Sequence, residues 1–439
     1  MCIKNCLRLL LPVKIYEWFH YGYEWLRYKK EKLLISKCEK NQKMQLELLS
    51  NKKTIRCVFF ALFEEVWKYD DVYKIMEENP RFEASILVCP IVNYGYENMI
   101  DRMENCYNAF KRKGYNVIKA YRGANNYVDV KSELQPDIIF YTNPYQGLID
   151  DRYYITNFKN VLTVYVPYYF GEGIEYQVAY NSLFCNLLWR RYVETADHKG
   201  YAKKYARTKG RNVVISGYPG IEKLLDNNYI PSDLCWKNKD TKFKRVIWAP
   251  HHTMEAAGKC QYSCFLSYCD FMIELASKYN SHIQFVFKPH PLLRNKLNLL
   301  WGEEKTNKYY EKWSSMGNTC LNEGDYVDLF LTSDAMIHDS GSFIAEYLYT
   351  NKPVMRTLNN VPLEEMYNPF ALRCLENYYM ARNEQDIEEF IQNVINGVDP
   401  LKEQRTKFIN EELIPQGSPS QNIVNDILDS IDNQILYRN

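Results

Sequence analysis

Two prolines enclose a histidine in the segment Lys288-Pro289-His290-Pro291, directly after an apolar run that predicts a buried strand. Proline fixes its own backbone and restricts the residue before it, so the segment is held extended. A lysine and a histidine fixed at the end of a strand can bind a pyrophosphate, and histidine can protonate a departing phosphate. A lone histidine is more often structural, but this setting is not typical of core packing. The pattern therefore favours a chemical role for Lys288 and His290.

A second histidine segment, Ala249-Pro250-His251-His252-Thr253, also follows an apolar run. The side chains of His251 and His252 could orient phosphates or act as acid and base. Tandem histidines are a weak signal alone, and a structural role is the alternative. A functional role for this pair is better supported if other polar segments lie nearby in the fold.

The segment 333–347 is Ser-Asp-Ala-Met-Ile-His-Asp-Ser-Gly-Ser-Phe-Ile-Ala-Glu-Tyr, which predicts a strand, a small polar turn, and a helix that begins near Ser342. Such a turn offers free backbone N–H groups and the positive end of a helix dipole, where α/β folds bind phosphate. Gly341 would permit close approach, and the hydroxyls of Ser340 and Ser342 would add donors. Glu346 could accept hydrogen bonds from ribose hydroxyls. Ordinary capping of the helix by Ser342 is the alternative interpretation.

These three segments follow predicted strands in the second half of the chain. In a parallel α/β sheet the carboxyl ends of the strands meet at one edge, where such folds bind their ligands. One ligand could therefore contact all three segments. The donors that they offer fit the phosphates of a nucleotide.

Short apolar runs alternate with helical stretches of about 10–15 residues in two successive series, which is typical of parallel α/β sheets. A polar stretch at 227–242, rich in Asn, Asp and Lys, separates the two series. We therefore expect an α/β protein with two Rossmann-like domains that face a cleft, at 51–240 and 241–405. A helical segment at 1–50 precedes them, and another at 406–439 could pack back on either domain.

The N-terminal segment combines aromatic, apolar and basic residues. An aromatic and apolar stripe with helical spacing is formed by Ile15, Trp18, Phe19, Gly22, Trp25 and Leu26. Residues 1–43 contain ten Lys or Arg and four Glu, a net charge of +6. This composition suits a helix that lies on an anionic membrane surface. A helix whose stripe packs on the core of the protein is the alternative.

The overall composition bears on the number of domains, on nucleic-acid binding and on the cellular compartment. The 439 residues are too many for one ordinary domain, and 46% are hydrophobic, so sizeable cores are expected. Lys plus Arg number 55 and Asp plus Glu number 54, so the net charge gives no sign of nucleic-acid binding. The 13 cysteines are scattered without a CxxC pair, which favours a reducing cytosol and predicts no metal site.

No cofactor is implied by the residues. No apolar run is long enough for a signal peptide or a spanning helix, so we expect a cytoplasmic protein that is soluble or peripheral.

A strand ending in Ala-Pro, a Lys-Pro-His-Pro box, and the run Ser-Asp…Asp-Ser-Gly-Ser…Glu-Tyr…Lys-Pro-Val occur here in that order. This order resembles the C-terminal domain of the CDP-glycerol glycerophosphotransferase family. The resemblance covers 245–355 well and the first half only in outline. It implies a GT-B fold, a location on the inner face of the cell membrane, and transfer of glycerol phosphate from CDP-glycerol with release of CMP. That family comprises the teichoic-acid primases and polymerases, with relatives in capsule gene sets.

By this resemblance, His290 falls in the family's His-Pro box. Asp339 and Ser342 fall in its Thr-Asp-Tyr-Ser-Ser box, which holds the donor's phosphates and here is His-Asp-Ser-Gly-Ser. The residues predicted to bind the donor are Lys288, His252, Asp339, Ser340, Gly341, Ser342 and Glu346. His290 or His251 is predicted to protonate or stabilise the departing phosphate.

The first half of the chain departs from the family, which usually has a His-Gly-Thr segment there, thought to supply a base for the acceptor hydroxyl. The matching region, 166–173, is Val-Pro-Tyr-Tyr-Phe-Gly-Glu-Gly and has no histidine. Glu172 is the nearest candidate base, and a tyrosine could only position the acceptor. We therefore expect Tyr168, Tyr169 and Gly171 on the acceptor side. An ordinary turn around Glu172 is the alternative.

Together these inferences predict a single displacement at an anionic membrane surface. A phosphoalcohol unit would pass from CDP-glycerol or a related cytidine donor to a lipid-linked or polymer acceptor. Two alternatives stay open. One is a GT-B glycosyltransferase that uses a CMP- or UDP-sugar, which the absent histidine favours; the other is a GT-B protein that binds or epimerises a nucleotide sugar without transfer.

Overall fold

The computed structural model describes residues 13–254 and 261–437, with side chains from residue 25 onward. Two separate parallel sheets organise the chain, each built from consecutive strands. The first contains β1 (Ile55–Ala61), β2 (Phe82–Val88), β3 (Val117–Lys119), β4 (Ile138–Tyr141), β5 (Leu162–Tyr165), β6 (Arg190–Val193) and β7 (Val213–Ile215). The second contains β8 (Lys244–Ala249), β9 (Ile283–Phe287), β10 (Thr319–Leu321), β11 (Ala335–His338), β12 (Val354–Thr357) and β13 (Tyr379–Ala381).

Both sheets have the strand order of a doubly wound fold. The first runs β3-β2-β1-β4-β5-β6-β7 and the second β10-β9-β8-β11-β12-β13. The order reverses beside β1 in one sheet and beside β8 in the other, which is where such folds leave a crevice for ligands. The predicted α/β architecture with two Rossmann-like sheets is confirmed.

Helices connect these strands and cover the sheets. They are Val13–Leu49, Asp70–Glu78, Tyr96–Arg112, Tyr176–Asn181, Leu183–Leu187, Ala196–Tyr205, Glu222–Leu225, Phe265–Lys278, Leu293–Trp301, Glu303–Ser315, Val327–Thr332, Pro369–Leu375, Glu384–Asn396, Lys402–Phe408 and Pro419–Asp432. Within the described ranges, no helix is both long enough and apolar enough to span a bilayer.

Each sheet is buried on both faces. Alternate residues of a strand point to opposite faces, so Phe59 and Phe60 of β1 enter two different apolar clusters. In the same way, Ile247 and Trp248 of β8 enter the two clusters of the second sheet. Strands buried on both faces are continuous apolar runs, which is why they could be predicted from the sequence.

The C-terminal helix Pro419–Asp432 returns to the first sheet. Its residues Ile423, Ile427 and Ile431 are completely buried in a cluster that also contains Phe59 of β1. The buried guanidinium of Arg190 contacts the carboxylate of Asp426 at 3.0 Å. The chain therefore passes from the first domain to the second and ends on the first.

The N-terminal helix Val13–Leu49 has two different halves. Its second half packs on the first domain, because Ile35, Cys38, Leu46 and Leu49 are buried. Its earlier part exposes large apolar residues, with 54% of Trp25, 62% of Leu26 and 73% of Leu33 accessible. The side chains of Ile15, Trp18 and Phe19 in the predicted stripe lie outside the described part. Packing thus accounts for the second half of the helix only.

The helix predicted to begin near Ser342 is absent, and this expectation was wrong. Residues 342–346 form consecutive turns, followed by one 3-10 turn at Tyr347–Thr350. The Ile344 N–H bonds to the Gly341 carbonyl, and the Ala345 N–H bonds to a side chain of the other domain. The Tyr347 N–H bonds to the Phe343 carbonyl at 3.1 Å in the α-helical pattern, but the Ile344 and Ala345 N–H groups do not follow that pattern, so no regular helix begins at Ser342.

Candidate active site

A cavity of about 580 Å³ lies between the two domains. The second domain contributes Lys288, His290, Ser340 and Ser342 to its wall, all of which follow the carboxyl ends of strands. The first domain contributes Trp67, Lys68, Asp70, Lys113 and Lys223, and the C-terminal helix contributes Ser420. Four of the predicted site residues are thus brought together in one crevice.

Lys288 directly follows β9 and is largely buried. Its ammonium group donates to the carbonyl of Gly324 at 2.5 Å and to the side-chain oxygen of Asn322 at 3.2 Å. Burial lowers the pKa of Lys288 to about 8, since removal from water penalises the charged form. A negatively charged ligand in the cavity would favour the charged form and bind to it.

His290 is fixed by its own loop. Its backbone N–H donates to the carbonyl of Pro250 at 3.0 Å, and its Nδ1 accepts the N–H of Leu292 at 3.1 Å. Because Nδ1 is an acceptor, the proton of the neutral ring is carried on Nε2, which is a donor. Burial, together with His252 and Lys288, lowers the pKa of His290 to about 3. The ring is therefore a neutral N–H donor until an anion arrives.

The histidines 251 and 252 lie beside His290 and do not line the cavity. The ring centres of His251 and His252 are 4.7 Å and 4.3 Å from that of His290. Burial, assisted by His290 and His252, lowers the pKa of His251 to about 2. The structure therefore places these two rings against His290 and not on the cavity wall.

The three rings are close enough to suggest a metal site, since one nitrogen from each lies within 4.8 Å of the others. The Nδ1 of His290, however, accepts the N–H of Leu292 at 3.1 Å, so the neutral His290 ring carries its proton on Nε2 and offers a donor there. The Nδ1 of His251 lies 2.9 Å from the hydroxyl of Thr253, so that nitrogen is already engaged within its own loop. The ring of His290 that lines the cavity therefore suits an anion.

Asp339 supports the neighbouring loops from behind. One carboxylate oxygen accepts the N–H of His251 at 2.5 Å, and the other accepts the N–H of Cys264 at 2.6 Å. Burial raises the pKa of Asp339 to about 6, against the effect of these two hydrogen bonds. Asp339 does not line the cavity, so its contribution to donor binding would be indirect.

Arg356 orients the peptide groups of the turn 339–342. Its guanidinium donates to the carbonyls of Asp339 at 3.1 Å and Ser340 at 3.2 Å. In a trans peptide the N–H points away from the carbonyl, so the N–H groups of Ser340 and Gly341, which share these two peptides, face away from Arg356. Within the described residues, the N–H groups of Gly341 and Ser342 have no hydrogen-bond acceptor. Ser340 and Ser342 line the cavity and Gly341 does not, so these N–H groups lie in the same turn as the two serine hydroxyls on the wall.

Glu346 does not line the cavity and is almost completely buried. Its carboxylate accepts a hydrogen bond from the hydroxyl of Tyr326, a residue of the cavity wall. The hydroxyl of Tyr326 also accepts from Lys68 at 3.0 Å. Direct contact between Glu346 and a ribose does not fit this position, so any influence of Glu346 would pass through Tyr326.

The segment 166–173 does not form the acceptor wall that the sequence suggested. Phe170 is completely buried in a cluster of the second domain, and Glu172 is only 3% exposed. The residues Tyr168, Tyr169, Gly171 and Glu172 are not part of the cavity wall. The cause is that this segment docks on the second domain, where the backbone N–H of Asn368 donates to the carbonyl of Glu172 at 2.8 Å.

A histidine of the first domain, His198, lies beside this segment. Its Nε2 is 3.1 Å from the carbonyl of Gly171, and its Nδ1 is 2.8 Å from the hydroxyl of Thr195. The side chain is completely buried and both nitrogens have partners. His198 is therefore a structural residue of the interdomain contact.

The first-domain wall was not predicted from local sequence patterns. Lys68 and Asp70 lie in a Trp-Lys-Tyr-Asp-Asp segment in the connection after β1, and the signal that could have indicated them is this charged and aromatic run downstream of a buried strand. Asp70 accepts hydrogen bonds from Trp67 at 2.7 Å and Tyr115 at 2.8 Å. Burial opposes ionisation of Asp70, but Lys113 and these hydrogen bonds together lower its pKa. This wall thus offers both cations and a stable carboxylate.

Comparison with known proteins agrees with this geometry. Residues 194–410, just under half of the chain, match the family model described as CDP-glycerol:poly(glycerophosphate) glycerophosphotransferase. The predicted resemblance is confirmed over this part. A search of curated proteins found none that matches.

Solved structures show the same fold. A variant of the wall teichoic acid polymerase TagF is 12% identical, with a TM-score of 0.57, and the match covers 95% of this chain and 99% of that one. The Staphylococcus aureus MnaA–UDP structure is 17% identical, with a TM-score of 0.53, and the match covers 88% of this chain and 99% of that one. A Neisseria meningitidis UDP-GlcNAc 2-epimerase bound to UDP-GlcNAc is 16% identical, with a TM-score of 0.51, and the match covers 86% of this chain and 100% of that one. At these identities the likeness establishes the GT-B-type fold.

Proposed function

From the match of residues 194–410 to the glycerophosphotransferase family, we propose that this chain transfers glycerol phosphate from CDP-glycerol to a hydroxyl of a wall or capsular polymer or its lipid-linked precursor. One observation carries the proposal. Lys288, His290, Ser340 and Ser342 share one cavity wall, and all four lie within the matched residues.

The donor's two phosphates bind at this wall. Lys288 provides a positive charge, and the free N–H groups of Gly341 and Ser342 provide preorganised donors. Oriented donors of this kind stabilise charge that develops as the reaction proceeds, and loss of one typically costs about 2.7–4 kcal/mol of barrier height.

The reaction is a single displacement at the phosphorus that carries glycerol. The acceptor hydroxyl oxygen forms a bond to this phosphorus, and the bond to the oxygen shared with the cytidine phosphate breaks. CMP leaves with that oxygen, and the Nε2–H of His290 donates to it. The proton of the acceptor hydroxyl passes to a base on the first-domain wall. Of the carboxylates on that wall, Glu65 lies outside the ion pairs that Lys113 makes with Glu64 at 3.3 Å and with Asp70 at 3.5 Å.

The test compares donors with the purified full chain. CDP-glycerol should raise the melting temperature and, with a glycerol-phosphate-primed acceptor, should release CMP in proportion to transferred phosphate. Lys288→Ala should abolish both effects, whereas the control Lys278→Ala, an exposed lysine of the same domain, should not. Stabilisation by UDP-sugars alone would overturn CDP-glycerol as the donor and leave the two nucleotide-sugar alternatives. No response to any nucleotide would overturn both transferase interpretations.

The chain also acts at an anionic membrane surface in this proposal. The exposed Trp25, Leu26 and Leu33 share the N-terminal helix with Arg27, Lys29, Lys30 and Lys32. Apolar side chains that insert between headgroups, flanked by basic residues that meet anionic lipid, are the pattern of an interfacial helix. A location at the inner face of the membrane would bring a lipid-linked acceptor to the cavity.

Vesicle binding tests this location. Substitution of Trp25, Leu26 and Leu33 by serine should release the protein from phosphatidylglycerol vesicles, with no effect on folding because these residues are exposed. Leu48→Ser is the control, since Leu48 is 65% exposed on the packed half of the same helix. Equal binding of the triple variant and the control would contradict the proposal.

A further inference from the structure

Glu172 belongs to the first domain but contacts the turn that carries the phosphate donors. Its Oε1 accepts the N–H of Ala345 at 3.1 Å, and only 3% of the residue is exposed. Ala345 lies three residues after Ser342, in the run of turns where an α-helix is absent. The Gly341 carbonyl, which would serve the Ala345 N–H in an α-helix, accepts the Ile344 N–H instead. Glu172 therefore supplies the acceptor that the backbone does not.

The docked segment around Glu172 is held from several sides. The side-chain amide of Asn368 donates to the carbonyl of Gly171, and its backbone N–H donates to the carbonyl of Glu172. Gly173 forms an isolated antiparallel bridge with Tyr367. The hydroxyl of Tyr367 accepts from Arg356 at 2.6 Å. The groups that hold Glu172 are thus linked to the residue that orients the start of the turn.

The two ends of the turn are therefore fixed by different domains. Arg356 of the second domain holds the carbonyls of Asp339 and Ser340, and Glu172 of the first domain holds the N–H of Ala345. Gly341 and Ser342, with their free N–H groups, lie between these two attachments. Movement of the domains apart would remove one attachment and leave the donors less ordered.

Glu172 is also poorly placed to act as a base. A base must come within about 2.6–3.2 Å of the proton that it accepts, directly or through one water. Glu172 does not line the cavity, and its second oxygen, Oε2, is buried without a hydrogen-bond partner among the described residues. Burial also raises the pKa of Glu172 well above its usual range, which favours the protonated acid.

We propose that Glu172 is a positioning residue, which couples contact between the domains to the order of the phosphate-binding turn 339–345. The role of this turn in donor binding rests on the proposed function, whereas the coupling itself does not. A neutral carboxyl group and a carboxamide have the same shape, and both offer a carbonyl oxygen to the Ala345 N–H. Glutamine should therefore replace Glu172 in this role, and alanine should not.

Steady-state kinetics separate the two roles. Glu172→Ala should raise KM for CDP-glycerol roughly tenfold, the value of about one hydrogen bond, with a smaller change in kcat. Glu172→Gln should stay within about twofold of the native enzyme, with the same pH profile, because the acceptor is kept. The control is Glu175→Ala, an exposed residue three positions later. A fall in kcat of about 100-fold or more for Glu172→Gln, with KM unchanged, would identify a base and overturn the proposal.

Hydrogen exchange tests the coupling without any assay of transfer. Peptides that span 340–349 should exchange faster in Glu172→Ala than in the native chain, and at the native rate in Glu172→Gln. If CDP-glycerol is not the donor, this result is unaffected, so failure of the proposed function and failure of the coupling can be distinguished. Unchanged exchange in Glu172→Ala would overturn the coupling. If Glu172→Ala does not fold, the kcat of Glu172→Gln distinguishes the two roles. A near-native kcat indicates a positioning residue, and a large fall in kcat indicates a base.

Discussion

The ammonium group of Lys68, on the first domain, lies 3.0 Å from the hydroxyl of Tyr326, on the second. Both residues line the cavity, and Tyr326 donates in turn to the buried carboxylate of Glu346. Burial raises the pKa of Glu346, and the charge of Lys68 opposes that shift. This contact is therefore a polar link across the proposed site, with a buried carboxylate behind it.

Removal of this link should weaken the reaction more than the fold. Lys68→Met should lower kcat/KM roughly tenfold, because a charge-assisted hydrogen bond across the cavity is lost. Lys68 is only half-buried, so the melting temperature should change little. Lys74→Met is the control, since Lys74 is exposed and pairs with Asp71 at 3.3 Å on the same helix. Equal kinetics for the two variants would show that the link has no role.

The leaving group should depend on His290. His290→Ala should reduce kcat at least roughly 100-fold, the usual contribution of a positioned acid or base, with little effect on stability. His282→Ala is a matched control, because His282 precedes the same strand, β9, at its opposite end and is exposed. Single-turnover measurement of CMP release would check the effect on the chemical step. Near-native kcat in His290→Ala would remove this residue from the mechanism.

The second domain was the more predictable half of the site. Lys288 and His290 follow an apolar strand, and the rule that strand ends converge placed them with Ser340 and Ser342 correctly in one crevice. Those positions depend on local pattern and on sheet topology alone. The helix expected after Ser342 failed because the Ala345 N–H bonds to Glu172, a residue more than 170 positions earlier. A contact of that sequence separation leaves no local signal.

In the first domain, too, contacts between residues far apart in the sequence could not be predicted from local patterns. Strand β6 is not an apolar run that would predict a buried strand, because Arg190 and Arg191 make its sequence polar, although both side chains are buried. Arg190 is tolerated there since Asp426, in the C-terminal helix, provides its counter-charge at 3.0 Å. Likewise, Tyr168 and Glu172 were expected to face the acceptor, but burial of Phe170 in the other domain turns their segment into an interdomain contact. The spacing of apolar residues along the chain does not predict which segments dock on the other domain.

Affinity for the donor should fall in alkaline solution. Burial lowers the pKa of Lys288 to about 8, so in the empty protein its ammonium group loses a proton as the pH rises through about 8. A diphosphate binds the charged form, so the Kd of CDP-glycerol should rise about tenfold per pH unit above that point. Lys288→Arg should remove this dependence, because a guanidinium stays charged. Calorimetric titration between pH 7 and pH 9.5 measures the Kd of CDP-glycerol for the native chain and for Lys288→Arg. If the two Kd values rise equally with pH, Lys288 is not the cause.

Asp339 should make the stability of the fold depend on pH. Burial raises its pKa to about 6, so the folded protein keeps a proton that the unfolded chain has released above about pH 4. The stabilisation from this group is complete below about pH 4 and is lost as the pH rises through about 6, by up to roughly 3 kcal/mol.

Replacement of Asp339 by asparagine should remove this dependence. Asp339→Asn cannot accept from both His251 and Cys264, so the variant should be less stable at every pH, but its free energy of unfolding should fall less steeply between pH 4 and pH 6. Urea unfolding at pH 4.5, 5.5 and 6.5 measures this slope. Asp270→Asn, at an exposed position of the same domain, should keep the native slope. If the Asp339 variant also keeps it, another buried acid must hold the proton, because only the titration of Asp339 differs between the two proteins.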